Sequence, residues 1–514
     1  LVADYQTGDK ALLDLAAFQP NREGLSAAME AIQGVSFPRK DLVSALHQQY
    51  ADLDAEASVS QNIEALGKDA VCVVAAHQLN LFTGPLYVIY KTVSAIVLAR
   101  QLEAEHPGRR VVPVFWLGSE DHDRDEIDHF QLFGKTIRWE TEQTGATGNM
   151  ELGGMEAIFE ALTSMLGTDE HAASLLQLFQ DAYVGSGTLA QAQRRLLHRL
   201  FGRYGLVILD ANTPALKRPF SAIAEQELLT GFAQQHGEAT RAFLADRYHL
   251  QASPRAINLF ALAPGRRERI EQDGDGFRLA DSGEAWTRSE ILAHLHAHPE
   301  AFSPNVVLRP LHQQAVLPAV AFLGGGSEVA YWLQLKAHFK AAGIFMPVVM
   351  LRNSVLWIDA TSAEKWESLG LSIPALFGEE EALVKQWVHE NETVELSLAQ
   401  EREQMAAIYA AIASRAEAVD PTLMGKVAAE GANQQKALDK LEQRLVKAGK
   451  QRHEQQVQQL RKVLSRLFPG RGLQERHDNF ASLWLRHGTS FLDDLLANLD
   501  PLDPRFTVLV EDRT

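Results

Sequence analysis

The chain is nearly devoid of cysteine. Cys72 is the only one in 514 residues, so an internal disulfide and a cysteine-based zinc site are both excluded. That scarcity points to a reducing compartment. Cys72 also sits inside the apolar run Val71 to Ala76, where burial raises a thiol pKa and blocks access, so it reads as structural rather than nucleophilic. No apolar run approaches the length of about 20 residues that spans a bilayer, and the first residues, LVADYQTGDK, lack a basic region followed by a hydrophobic one. The expectation is a cytoplasmic protein, neither exported nor embedded. Positive charge is also short, with 49 Lys plus Arg against 66 Asp plus Glu and a formal net charge of −17. Such a surface repels polyanions, which disfavours nucleic acid as a partner. A few arginines gathered in a cleft could still hold a small anion, because salt screens distant charge within about 10 Å.

Hydrophobic residues make up 46% and charged residues 22%, ordinary globular usage, and the length predicts two to four domains. Apolar runs rich in β-branched residues recur at 71–76, 111–117, 206–209, 257–263 and 346–351, and read as buried parallel strands. Helical patterns lie between them, at 85–104, in several pieces over 155–204, at 214–229 and at 327–342. This alternation predicts an α/β fold with a Rossmann-like, doubly wound parallel sheet. Residues 1–130 would form its first part and 205–390 its second, with an inserted helical subdomain at 131–204 and a small hairpin excursion near 264–300.

From about residue 392 the texture becomes Gln, Glu, Lys, Arg and Ala, with Leu438, Leu441, Leu445, Val457, Leu460, Leu464 and Leu467 at three-four spacing. Pro421 divides the stretch, so 391–470 reads as a coiled-coil hairpin with a long second helix ending near Phe468, and 471–514 as a tail returning to the core. A hairpin of about 60 to 70 Å at 1.5 Å per residue cannot bury its whole seam alone. A homodimer through the coiled coil is the expected solution.

Three segments could carry chemistry. In AHQLNLFTGPLY (76–87) a strand ends and a helix begins, the position where open α/β sheets bind ligands. His77, Gln78, Asn80, Thr83 and Gly84 are candidates there, although Thr83 could be a plain N-cap and Asn80 a turn residue. The run His77 to Asn80 also parallels the HxGH or HxGN turn of class I aminoacyl-tRNA synthetases. In VFWLGSEDHDRDEIDHF (114–130), Glu120, Asp121, His122 and Asp123 stand at the end of the second strand. A carboxylate could orient His122, or Asp123 could act as base toward an amine, and the sequence does not choose between them. His122, Glu126 and His129 would share a helix face, but acidic first turns are a common dipole-favoured pattern, so no metal is expected. In the third segment, 306–339, Arg309 could clamp a carboxylate, while Glu328, Tyr331 and Trp332 lie on the first turns of a helix and would face the same cleft, the alternative being that Tyr331 or Trp332 is core. Gly324, Gly325 and Gly326 resemble a phosphate-cradling turn, or equally a tight loop into a helix capped by Ser327.

Taken together, HQLNLFTGPLYVIYK, FWLGSEDHDRDEIDH, RPLHQQAVLPAVAFLGGGSEVAYW and the later GLQER closely resemble the bacillithiol synthase family, the cysteine-adding ligases of bacterial thiol biosynthesis. The likeness runs over essentially the whole chain. It implies a core related to class I synthetases, a dimer-forming coiled coil, and the joining of the carboxyl group of cysteine to the amine of glucosaminyl-malate. Under that resemblance Arg309 would meet the malate carboxylates, and His77 with Asn80 would hold the cysteine carboxylate or a phosphate. His77, Asp121, His122 and Asp123 are the catalytic candidates, and Gln78, Asn80, Thr83, Gly84, Arg309, Gln313, Glu328, Tyr331 and Trp332 the substrate-binding ones. A nucleotide, ATP or ADP, would fall to Gly324, Gly325, Gly326 and Arg352. The sequence departs from the synthetases in lacking a KMSKS-type lysine loop, since Arg352, Asn353 and Ser354 stand after the last core strand. Lys91, Arg309 and Arg352 are then the cations at hand for a leaving pyrophosphate. The rival expectations are another nucleotidyltransferase activating a small acid, and a coiled-coil scaffold with a non-catalytic core.

Overall fold

The computed structural model describes residues 1–512. They divide into two compact units, Leu1–Val355 with Glu475–Thr507, and Leu356–Gln474 with the chain from Val508 onward. No helix among the described residues is long and apolar enough to cross a membrane.

The first unit is built on five parallel strands, β1 (Val71–His77), β2 (Val111–Leu117), β3 (Val207–Leu209), β4 (Ala319–Gly324) and β5 (Val348–Leu351). Their order across the sheet is β5-β4-β1-β2-β3. The chain therefore builds outward from β1 in one direction, then returns to β1's other side and builds outward again. The change of direction falls between β1 and β4, and the crevice at their carboxyl ends is where such sheets bind ligands. Strands buried on both faces need apolar residues without alternation, which is what VCVVAA and VVPVFWL supply. Cys72, Val74 and Ala76 share a core cluster with Val59, Ile63 and Leu66, while alternation turns Val73 and Ala75 to the opposite face.

The crossover helix α1 (Tyr87–Glu105) packs against β1, β2 and β4, and nearly all of its first turns are buried. It starts two residues after Pro85, so neither Pro85 nor Thr83 opens it. Instead Phe82, Thr83 and Gly84 adopt φ of +47°, +68° and +63°, a left-handed turn that costs energy at the two non-glycine positions. Surrounding groups hold the turn in place. Tyr183 Oη receives a hydrogen bond from the Phe82 amide at 2.9 Å, and Asn479 Nδ2 donates to the carbonyls of Phe82 and Gly84 at 2.9 and 2.7 Å. The Phe82 ring stacks on Phe179 with centroids 4.1 Å apart, inside a nest that also contains Phe130, Phe159 and Tyr183. Just past the end of β5, Arg352 and Glu475 form a buried two-pronged ion pair at 2.7 and 3.0 Å, fastening the returning chain to that strand.

One expected core strand lies elsewhere. The run at 257–263 yields Leu259–Ala263, which pairs antiparallel with Phe302–Pro304 and Arg266–Asp273 in a second, five-stranded sheet. The reason is the Pro264-Gly265 turn that returns the chain at once, whereas a parallel neighbour needs a crossover of about a dozen residues. This second sheet continues through Gly276–Leu279 and Ala285–Trp286.

In the second unit the helices Ala399–Val419 and Met424–Arg452 form an antiparallel hairpin around Pro421. The second helix is about 44 Å long at about 1.5 Å per residue, shorter than the sequence suggested, because the chain leaves helical geometry at His453 (φ −102°, ψ 29°) before resuming at Glu454–Leu467. Val457, Leu460, Leu464 and Leu467 are buried, whereas Leu441 and Leu445, like Ile408 and Ile412 on the other helix of the hairpin, stay exposed.

A Cβ added to Gly84 would lie 2.6 Å from Asn80 Cβ, at a backbone conformation that side chains rarely adopt. Gly84→Ala should therefore lower stability by about 2 kcal/mol or more, measured as a shift of the denaturant midpoint; an unchanged midpoint would show that the turn relaxes without cost.

Candidate active site

A cavity of about 760 Å³ opens at the carboxyl ends of β1, β2 and β4. Its base is set by a lysine in an otherwise apolar helix. Lys91 on α1 is 1% exposed; its Nζ donates to the Ala76 carbonyl at 2.9 Å and forms an ion pair with Glu328, from helix α3 (Gly326–Trp332) after β4. Burial pushes the Lys91 pKa down and Glu328 pulls it back up. Burial would raise the Glu328 carboxyl, but the Lys91 charge outweighs it and holds the group below the usual range. Glu328 also accepts from the Gly325 amide at 2.8 Å, so Gly325 rather than Ser327 caps α3.

His77 closes β1. Its Nδ1 faces the Gln78 carbonyl at 3.3 Å and its Nε2 the Tyr87 hydroxyl at 3.1 Å. The carbonyl assigns the proton to Nδ1, leaving Nε2 to accept from Tyr87. Burial, reinforced by Lys91, pushes its pKa down to about 4, so the imidazole is neutral near pH 7.

Gln78 turns its amide to two carboxylates, donating to Asp121 Oδ2 and Glu126 Oε2, both at 2.8 Å. Asp121 Oδ1 accepts from the amides of His122 and Asp123 at 2.7 and 3.2 Å. Burial would raise the Asp121 carboxyl, yet hydrogen bonds from His122 and Gln78 and the charge of Arg267 hold it well below the usual carboxylate range. Asp121 lines the cavity, whereas His122 and Asp123 do not. His122 Nδ1 accepts from Arg267 Nη1 at 2.8 Å, and Asp123 is exposed at the start of the short helix Arg124–Ile127. His129 pairs with Asp128 instead of joining His122 and Glu126, and no group of three or more metal-holding side chains gathers among the described residues.

On the opposite wall Arg309 opens helix α2 (Arg309–Val316), donating to Gln313 Oε1 at 2.9 Å and to Tyr331 Oη at 3.1 Å. Arg309 and Tyr331 line the cavity, and Gln313 supports Arg309 from within the core. Trp332 faces away, stacked between Phe322 and Phe339 at 4.3 and 5.7 Å. Asn80, Thr83 and Gly84 belong to the buried turn behind the wall. Gly325, Gly326 and Arg352 reach the cavity, but Gly324 is packed against the Glu328 side chain.

Several groups at the cavity carry no mark in the sequence. Lys217 forms a second buried pair with Glu120 at 2.6 Å and donates to the Phe302 carbonyl at 2.8 Å. Arg267 comes from the antiparallel sheet, lies 3.8 Å over the Phe260 ring and is tied to Ser303 Oγ and the Pro304 carbonyl. Arg255 and Arg476 are exposed on the rim. Lys91 had a usable signal, as the one charge in YVIYKTVSAIVLA, and Arg476 closes the motif GLQER.

Residues 1–353 match the family model described as Bacillithiol biosynthesis BshC, N-terminal Rossmann-like domain, and residues 355–511 the one described as Bacillithiol biosynthesis BshC, C-terminal coiled-coil domain. The chain belongs to the BshC family. Among its relatives, a Christiangramia forsetii protein is 37% identical over 478 residues, covering 92% of this chain and 89% of that one. A Flavobacterium johnsoniae protein is 36% identical over 512 residues, covering 99% and 97%. Both bear the name "Putative cysteine ligase BshC". The Rossmann-like sheet and the coiled-coil unit of this BshC chain correspond to the two family descriptions.

His77 accepts a proton readily when unfolded, near pH 6.5, but only near pH 4 when folded. Between those values the unfolded chain binds more protons, so acidification removes stability, by about 1.4 kcal/mol per pH unit for one such group. Chemical denaturation from pH 7 to pH 4 should show this decline, and His77→Gln should make it shallower; an equally steep decline in the variant would place the titration elsewhere.

Proposed function

We propose that this BshC chain joins the carboxyl group of cysteine to the amine of glucosaminyl-malate, forming the amide bond of bacillithiol. The observation that carries this reading is the presence in one cavity of both unpaired arginines and paired carboxylates. Arg255, Arg309 and Arg476 line it without a carboxylate partner among the described residues. The same cavity holds Asp121 and Glu126, bridged by Gln78. The arginine side suits the two carboxylates of malate, which such side chains hold through paired hydrogen bonds. The carboxylate side suits an ammonium group.

In the net reaction the amine nitrogen bonds to the cysteine carboxyl carbon, the bond from that carbon to one carboxyl oxygen breaks, and this oxygen leaves as water with the two protons that the ammonium nitrogen gives up. Asp121, held far on the acid side, is a holder of ammonium rather than a taker of protons. Lys91 has three N–H groups and spends two on Ala76 and Glu328. The third is the donor we assign to the oxygen on which negative charge grows as the tetrahedral centre forms. Of the features that the sequence offered to a nucleotide phosphate, Gly325 N–H is engaged by Glu328 and Arg352 by Glu475. The roles assigned here are those of the chain's own residues, and no step is routed through ATP or ADP. On the second unit, exposed Ile408, Ile412, Val419, Met424, Leu441 and Leu445 support self-association of the hairpin into a homodimer.

Purified protein given cysteine and glucosaminyl-malate, with and without nucleotides, should yield bacillithiol by mass spectrometry; folded protein that yields none under any of these conditions overturns the reading. Arg309→Ala should raise KM for glucosaminyl-malate at least about tenfold, the worth of one charge-assisted contact, with a smaller effect on cysteine. Equal losses for both substrates would remove Arg309 from the malate side. For the dimer, Ile412→Lys should halve the mass found by light scattering, and an unchanged mass would exclude this seam.

A further inference from the structure

His312 is a buried histidine on the cavity wall with one ring nitrogen that neither the fold nor the proposed chemistry uses. It sits on α2, 0% exposed, and lines the cavity together with Trp116 and Glu120. Its Nε2 faces the Leu216 carbonyl at 3.0 Å, which assigns the proton to Nε2 and leaves Nδ1 as a bare acceptor. That Nδ1 has no partner among the described residues. An unmet acceptor in a dry place costs free energy, and a site that tolerates one is commonly completed by a ligand or a water. Burial, helped by the Lys217 charge, pushes the His312 pKa down to about 3, so the ring remains an acceptor throughout the neutral range.

The surroundings select among the donors that cysteine could offer. The ring meets Trp116 edge-on with centroids 5.2 Å apart and Phe220 at 5.1 Å. Lys217 and Arg309 both act on it as positive charges, and the nearby Glu120 is already neutralised by Lys217. Ammonium is disfavoured beside such cations. A thiol suits the place: near pH 7 it is uncharged, its S–H donates weakly, and sulfur packs well at the edge of aromatic rings.

We propose that His312 Nδ1, with Trp116 beside it, receives the thiol of the cysteine substrate and sets the preference for cysteine over amino acids of similar size. This rests on the ligase reading above and deepens it. It also leaves the cysteine ammonium for the carboxylates Asp121 and Glu126.

The test begins with the unaltered enzyme. Cysteine, S-methylcysteine, 2-aminobutyrate and 3-mercaptopropionate are compared as substrates or as competitors of cysteine. The first three share the ammonium and carboxylate, and the last keeps the thiol but lacks the ammonium. Loss of the S–H should weaken binding about tenfold, the worth of one hydrogen bond at its upper range. The same series is then run with His312→Gln, which keeps a donor and an acceptor, and with His312→Phe, which keeps neither. His312→Phe should lose the discrimination between cysteine and 2-aminobutyrate while KM for glucosaminyl-malate stays within about twofold, a change that a single rim contact would exceed. His312→Gln should recover part of the discrimination. Because a buried substitution can impair folding, the nitrogen-15 resonance of His312 Nδ1 is followed in the unaltered protein as cysteine is added, and it should move with cysteine but not with 2-aminobutyrate. A resonance that ignores cysteine, or discrimination that survives in folded His312→Phe, overturns the proposal while product formation leaves the ligase reading standing. An unaltered enzyme that neither binds cysteine nor makes product overturns both.

Discussion

Lys91 places a positive charge where the sheet, the crossover helix and the loop after β4 come together. A lone ammonium there would be untenable, since removing it from water costs several kcal/mol that only a close, well-satisfied partner offsets. Glu328 is that partner, and its carboxylate is in turn satisfied by the Gly325 amide, while the Ala76 carbonyl takes a second Lys91 proton. Three segments distant in sequence, the end of β1, the start of α1 and the turn into α3, are thus fixed by one ion pair. Such a pair adds little net stability compared with an apolar filling, but it defines geometry sharply, because losing either member strands the other charge. The cavity inherits its floor from this arrangement.

The same pair governs its neighbours. His77 stands beside Lys91 and is neutral partly for that reason, so its contribution at β1's end is a fixed dipole held by Tyr87 and not a charge. On the other flank Lys217 and Glu120 repeat the device, with the Phe302 carbonyl absorbing another lysine proton. The charges nearest the sheet are therefore balanced internally.

What the sequence discloses follows from this division. Val71 to Ala76 and Val111 to Leu117 are legible because a strand buried on both faces must be apolar throughout, and chain order then gives the reversal between β1 and β4. The loops after those strands are legible because a ligand crevice needs polar residues at strand ends, hence His77, Gln78 and Asp121. The run at 257–263 misleads because its composition is strand-like and only the Pro264-Gly265 turn decides which sheet it joins. Trp332 misleads because the first turns of a helix present all faces, and a local pattern does not say that Phe322 and Phe339 wait on the core side. Nor does heptad spacing foresee the break at His453. Asp121 and Asp123 are alike on paper; the difference is that Asp121 folds back on two amides and meets Gln78, which depends on the loop's path.

The arginines come from a different part of the molecule, and there is a physical reason for it. An unpaired cation cannot be kept at the end of a buried parallel strand, where there is neither water nor a partner to solvate it. It must stand on a segment that reaches the cavity from the surface. Arg255 lies just before the antiparallel sheet, Arg309 at the first residue of α2 and Arg476 on the stretch returning after the second unit, and the rim residues Arg255 and Arg476 are exposed. Arg267, anchored to Phe260 and His122, acts instead on Asp121. The Rossmann-like core thus supplies neutral geometry and balanced charge, and the added segments supply the charge that a dianionic substrate would meet. Arg309 at the start of a helix and Arg476 in GLQER are legible in the sequence, whereas a surface arginine such as Arg255 looks like any other, so periodicity and motif find this side of the cavity only in part.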